Sequence, residues 1–136
     1  MKRILSMALL LGLCVVLAIP AGAAEDEDVK KDPSYVKLSP AFVVNLKRGT
    51  GAKFLQVKAE VLVNSPEAAE LVRLHMPAIR DAMIMQLSNQ DGRAIRSVET
   101  REQLRTDAEA AVKKALQQMT GKPVIEGLFF TNYVIQ

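Results

Sequence analysis

The sequence predicts an α+β domain, a small antiparallel sheet covered by helices. Residues 36–46 and 54–63 place apolar side chains at every second position, the period of half-buried strands. Residues 66–87 and 100–120 instead repeat at helical spacing between recognisable start and stop signals. The resulting order of strand, strand, helix, broken helix, helix, strand puts the helices together between two strand segments, the arrangement of α+β folds.

Ahead of the domain, Lys2 and Arg3 precede a charge-free stretch of 21 residues, 4–24, and then the acidic run Glu25, Asp26, Glu27, Asp28. A short basic segment, an apolar core, Pro20 and the small residues Ala21, Gly22 and Ala23 fit a secretory signal with cleavage after Ala23. An uncleaved anchor fits too, because 21 helical residues reach about 31 Å, the thickness of a bilayer core. Both readings leave the basic end in the cytoplasm and carry the rest of the chain across the membrane. Residues 1–23 are therefore a signal peptide or anchor, 24–34 a linker and 35–136 the folded domain.

In the first strand region Val36, Leu38, Phe42, Val44 and Leu46 form the apolar row. Pro40 interrupts it without a backbone donor, so this strand belongs at an edge or is bulged. Gly49 and Gly51 mark a turn, after which Leu55, Val57, Ala59, Val61 and Val63 face one side and Gln56, Lys58 and Glu60 the other, completing an antiparallel hairpin. Ser65, Pro66 and Glu67 give an N-cap, a first-turn proline and a first-turn acid. Pro77 breaks the helix near Met76, and a second helix runs to Leu87 with Ile84 and Met85 off its main apolar face. Thr100 with Gln103 reads as a capping box for a third helix, with Leu104, Ala108, Ala111, Val112, Ala115 and Met119 as its buried stripe and Gly121 as its end. Its opposite face carries Glu102, Arg105, Glu109 and Lys113. The closing run, VIEGLFFTNYVIQ, is apolar on both faces, which predicts an interior strand with Gly127 as a bulge.

Composition narrows the function. At 136 residues, 49% hydrophobic and 24% charged, the chain is one globular domain plus its leader. The formal charge of +3 falls to +1 from residue 24 onward, 16 Lys and Arg against 15 Asp and Glu, and aromatics make up 4%. Neither a counterion-displacing basic face nor a base-stacking platform follows, so nucleic acid is excluded as a partner. Cys14 lies in the leader and His75 is the sole histidine, which leaves no catalytic residue set, metal site or cofactor motif. His75 reads as a packed, hydrogen-bonded helix residue, and Arg80 and Asp81 as ions paired elsewhere or solvated, since helix neighbours do not face each other. Met76, Met83 and Met119 read as core filling, and Met85 as core or a soft interface.

The strings YVKLSPAFVVNL, KFLQVKAEVLV, MPAIRDAMIMQLS, REQLR and LFFTNYVIQ, in this order, resemble the family of the flagellar basal body-associated protein FliL over residues 34–136. The resemblance implies a stomatin/prohibitin-like domain on the periplasmic side of the inner membrane. It implies rings around the stator units of the flagellar motor, in support of rotation, swimming, swarming and chemotaxis. The chain is then a non-enzymatic scaffold that acts by contact with stator and basal body proteins. Rings require heterologous contacts, for which Ile84, Met85, Glu102, Arg105, Glu109 and Lys113 are the candidate surfaces. The alternatives are a flagellum-independent envelope scaffold, or a small exported ligand-binding protein or enzyme.

Overall fold

The computed structural model describes residues 31–136. The signal or anchor segment and most of the linker lie outside the described residues. Ten residues, Phe54–Val63 (β3), form the spine of a four-stranded sheet. Along one edge run two short antiparallel strands in succession, Ser34–Lys37 (β1, Val36 opposite Val61) and Phe42–Asn45 (β2, Val44 opposite Leu55). The expected single strand is thus divided at a cis Ser39–Pro40 peptide, where Pro40 has no N–H to offer a ladder. Along the other edge lies Gly127–Ile135 (β4), paired from Leu62↔Gly127 to Leu55↔Ile135.

β4 corrects the expected interior strand: among the described residues it pairs with β3 alone and forms an edge. Its outward Phe129 is apolar because its ring meets Tyr35 of β1 edge to face at 5.9 Å across the open side of the sheet. The bulge also lies elsewhere. Lys58 faces Asn132 and Ala59 faces Phe130, so Thr131 is the extra residue, whereas Gly127 sits in register. A Cβ at Gly127 would stand 3.2 Å from the Phe129 ring, which accounts for the glycine by space.

The alternation of β3 sorts its faces as expected. Leu55, Val57, Ala59, Val61 and Val63 are buried, joined by Val36, Leu38, Phe42, Val44 and Leu46. Three helices cover that face: Pro66–Leu74 (α1), Met76–Leu87 (α2) and Val98–Thr120 (α3). Ser65 caps α1 by accepting the Ala68 N–H at 3.1 Å, and the chain breaks at His75 before Pro77, as the sequence predicts.

α3 starts three residues earlier than the capping-box reading, which mistook an intrahelical pair for a cap. Ser97 is the N-cap: its Oγ accepts the Thr100 N–H at 3.1 Å, while Gln103 donates to Asp107. Gly121 closes the helix with φ 76°, a left-handed conformation that glycine adopts without a steric cost. The buried stripe is Leu104, Ala108, Val112 and Leu116. Met119, read as part of it, shares the angular position of this stripe but stands in the last turn of the helix, beyond Leu116, and is 58% exposed.

Candidate functional site

The charged face of α3 meets the start of β4. Glu109 lies between Lys113 (2.6 Å) and Arg105 (3.0 Å), and Arg105 also pairs with Glu102. The same two side chains grip the main chain of β4. Arg105 Nη1 donates to the Leu128 carbonyl at 2.9 Å, and Glu109 Oε2 accepts the Leu128 N–H at 3.3 Å. Leu128 thereby finds on α3 the donor and acceptor that a neighbouring strand would have supplied. Arg105 and Glu109, named above as candidate contact residues, are thus engaged with the main chain of their own domain. Glu102 is exposed, whereas Arg105 and Glu109 are mostly covered.

The electrostatics follow the geometry. Burial pushes the Glu109 carboxyl up, but the Lys113 hydrogen bond, the Leu128 N–H, the Lys113 charge and the Arg105 hydrogen bond together hold it below its ordinary value of 4.5. The Arg105 hydrogen bond holds the Glu102 carboxyl low, and the same bond helps keep Arg105 charged. Burial pushes the Tyr133 phenol up, against the opposing charge of Arg101, whose guanidinium lies 5.6 Å from the ring centre. The Tyr133 hydroxyl donates to the Ile95 carbonyl at 3.3 Å and ties β4 to the segment before α3.

Beside β4, Arg101, Glu102, Arg105, Phe129, Phe130 and Tyr133 line an open concavity of about 530 Å³. A second concavity shares Arg101 and Tyr133 with it and is lined further by Ile95, Arg96 and Ile135. Arg96, Arg101 and Arg105 are near neighbours in the sequence, but nothing local to them shows that the aromatic residues of the last strand lie beside them.

Other residues singled out from the sequence fall apart from this groove. Ile84 and Met85 stand on the outer side of α2, 43% and 72% exposed, while Met83 is fully buried. His75 occupies the junction of α1 and α2, half-buried, and the expected hydrogen bond to its imidazole is absent among the described residues. Among the described residues Arg80 pairs with no carboxylate, and it is not simply solvated either. Its Nη1 donates to the carbonyls of Pro40 (2.6 Å) and Leu38 (3.3 Å), and the guanidinium covers the Phe42 ring at 4.3 Å. It thus holds the link between β1 and β2 against α2. Arg80→Ala is expected to cost about 2 kcal/mol in urea unfolding through lost charge-assisted hydrogen bonds and ring contact, with Arg80→Lys losing less. A loss for Arg80→Ala under about 0.5 kcal/mol, the range of an ordinary surface change, would show that the link holds itself.

Among the described residues no group of three His, Cys, Asp or Glu side chains converges on a common point. None of the described helices is long and apolar enough to cross a membrane.

The family of the flagellar basal body-associated protein FliL matches residues 35–136, from β1 to the end of the chain. The chain belongs to this family. A flagellar protein FliL from Aquifex aeolicus (strain VF5) is 30% identical over 100 residues, covering 74% of this chain and 60% of the relative. The chain thus spans about three fifths of that FliL protein. The matched region contains all of the sheet but Ser34, the three helices and the α3–β4 grip, so the family signature coincides with the folded domain.

Proposed function

We propose that this FliL family member is a non-enzymatic scaffold of the flagellar basal body. It sits on the periplasmic side of the inner membrane and supports the stator and the rotation it drives. The observation that carries the reading is the family match across the entire folded domain, residues 35–136. The basic-apolar-acidic order of residues 2–28 supports the topology, as a retained anchor or as an exported leader. Action by contact suits a domain whose polar clusters, at Arg105, Glu109 and Arg80, are spent on its own main chain.

Assembly of copies into a ring needs two different surfaces on each protomer. The exposed Ile84 and Met85 of α2 are offered as one of them, together with the exposed carboxylate of Glu102. A strain lacking the gene is expected to lose swimming and swarming and to recover both with the unsubstituted chain. Complementation with Ile84→Asp and Met85→Asp combined should restore them poorly, although the purified variant melts within a few degrees of the parent. Normal motility of the deletion strain would overturn the flagellar assignment, and full rescue by the variant would remove this face of α2 from the contacts.

A further inference from the structure

Antiparallel strands alternate between residues that exchange both hydrogen bonds with the facing strand and residues whose N–H and C=O point away from it. Phe54 and Gln136 exchange both, at 2.8 and 2.9 Å. Counting back from that pair, Ile135 and Tyr133 turn their main-chain groups outward, and beyond the bulge at Thr131 so do Phe130 and Leu128. Leu128 is satisfied by Arg105 and Glu109. Phe130, Tyr133 and Ile135 have no main-chain partner on that side among the described residues. An unpaired row of this kind is a template for a further strand. The opposite edge of the sheet offers no equal row, since β1 and β2 are four residues each and separated by Pro40.

The groove described above lies alongside this row, with Arg101 and Arg105 on its wall and Arg96 in the second concavity that shares Arg101 with it. The ion pairs among the described residues engage Arg105 but neither Arg96 nor Arg101. We propose that the outer edge of β4 receives an extended acidic segment of a partner protein, which adds a strand along Phe130 to Ile135 and sets carboxylates against Arg96 and Arg101. Six residues of added strand span about 20 Å. Main-chain pairing supplies the affinity, and the arginines select for acidic side chains. A second copy of this chain fits the edge poorly through its own β4. Two-fold pairing of β4 with β4 would bring the Arg96 and Arg101 rows of both copies together, and like charges in apposition are repulsive. The proposal rests on the scaffold reading and gives one of its contacts a chemistry.

The test uses the ¹⁵N-labelled full chain in neutral detergent, with a nine-residue peptide of alternating Glu and Val as probe. The expected result is slowed amide exchange and shifted resonances at Phe130, Tyr133 and Ile135, with affinity weakened tenfold or more in the Arg96→Glu, Arg101→Glu double variant. The same peptide with Lys in place of Glu should leave these amides unchanged. Three results would overturn the proposal: no response to the Glu peptide, equal binding of the Lys peptide, or the same shifts from phosphatidylglycerol vesicles or from free glutamate. Concentration-dependent shifts at these amides without any peptide would assign the edge to a second copy and overturn it as well. A strain that needs the chain to swim, with a chain that ignores the peptide, would retain the scaffold reading and discard this one.

Discussion

Removing residues 129–136 is expected to abolish cooperative melting. β3 is the spine of the sheet, and Leu55, Val57, Ala59, Val61 and Val63 make it the centre of the core. Among the described residues β4 is its entire partner on one side, paired over residues 55–62. The deletion uncovers that edge and strips Phe130, Tyr133 and Ile135 from the margin of the core. It also cuts the Tyr133 tie to Ile95 and the bonds from the Lys53 and Phe54 N–H groups to the Gln136 carbonyl. Burial of large apolar side chains contributes about 1.5–3 kcal/mol each and a ladder hydrogen bond about 0.5–1.5 kcal/mol net, so the loss is comparable to the whole 5–15 kcal/mol that holds a domain of this size folded. Circular dichroism of the full and shortened chains checks it. A sigmoidal melt of the shortened chain near the parent temperature would mean that the sheet does not depend on β4.

The importance of β4 is legible because its apolar run follows the helices and has to return to the hairpin to be paired. Its position in the sheet is not. A run that is apolar on both faces reads as interior, yet here the second apolar face arises from one outward aromatic pair, Tyr35 with Phe129, on a side of the sheet that none of the described helices covers. Periodicity reports how many faces of a strand meet apolar groups, not whether a strand lies on either side of it. Helix starts show the same division. Ser65, Pro66 and Glu67 state the start of α1 in consecutive residues, whereas at α3 two hydroxyls three residues apart, Ser97 and Thr100, both suit a cap and the true one is fixed by the packing that follows. Nothing local marks the turn at Val124, which takes φ 66° without being Gly or Asn. The groove was beyond reach for a related reason. The spacing of Glu109 and Lys113 is visible as a helical pair, but the reach of Arg105 and Glu109 to Leu128 crosses 23 and 19 residues and follows from the return of the chain to β3.

That reach makes Glu109 the side chain with the largest expected single-residue effect among the polar groups. Glu109→Ala leaves the Leu128 N–H without its acceptor and Arg105 without one of its two carboxylates, at a cost of about 2–3 kcal/mol. For a domain near 100 residues that lowers Tm by about 10 °C or more. Glu109→Gln keeps an acceptor oxygen for Leu128 and should lose about half as much. The pH dependence follows from the depressed carboxyl. Its native-state pKa lies below the unfolded value, so its stabilisation is fully present above pH 4.5 and is lost as pH falls through the native value. Glu109→Gln should therefore flatten that acidic limb of the stability curve, and an unchanged limb would assign it to other carboxylates.

The swapped pair, Arg105→Glu with Glu109→Arg, separates a plain ion pair from a grip on the main chain. An ion pair alone survives the exchange of its ends. Leu128 does not exchange its N–H for its C=O, so the swapped carboxylate would face the carbonyl and the swapped guanidinium the N–H. The double variant should be at least as unstable as Glu109→Ala in urea unfolding, and recovery to the parent midpoint would reduce the cluster to surface charge pairing.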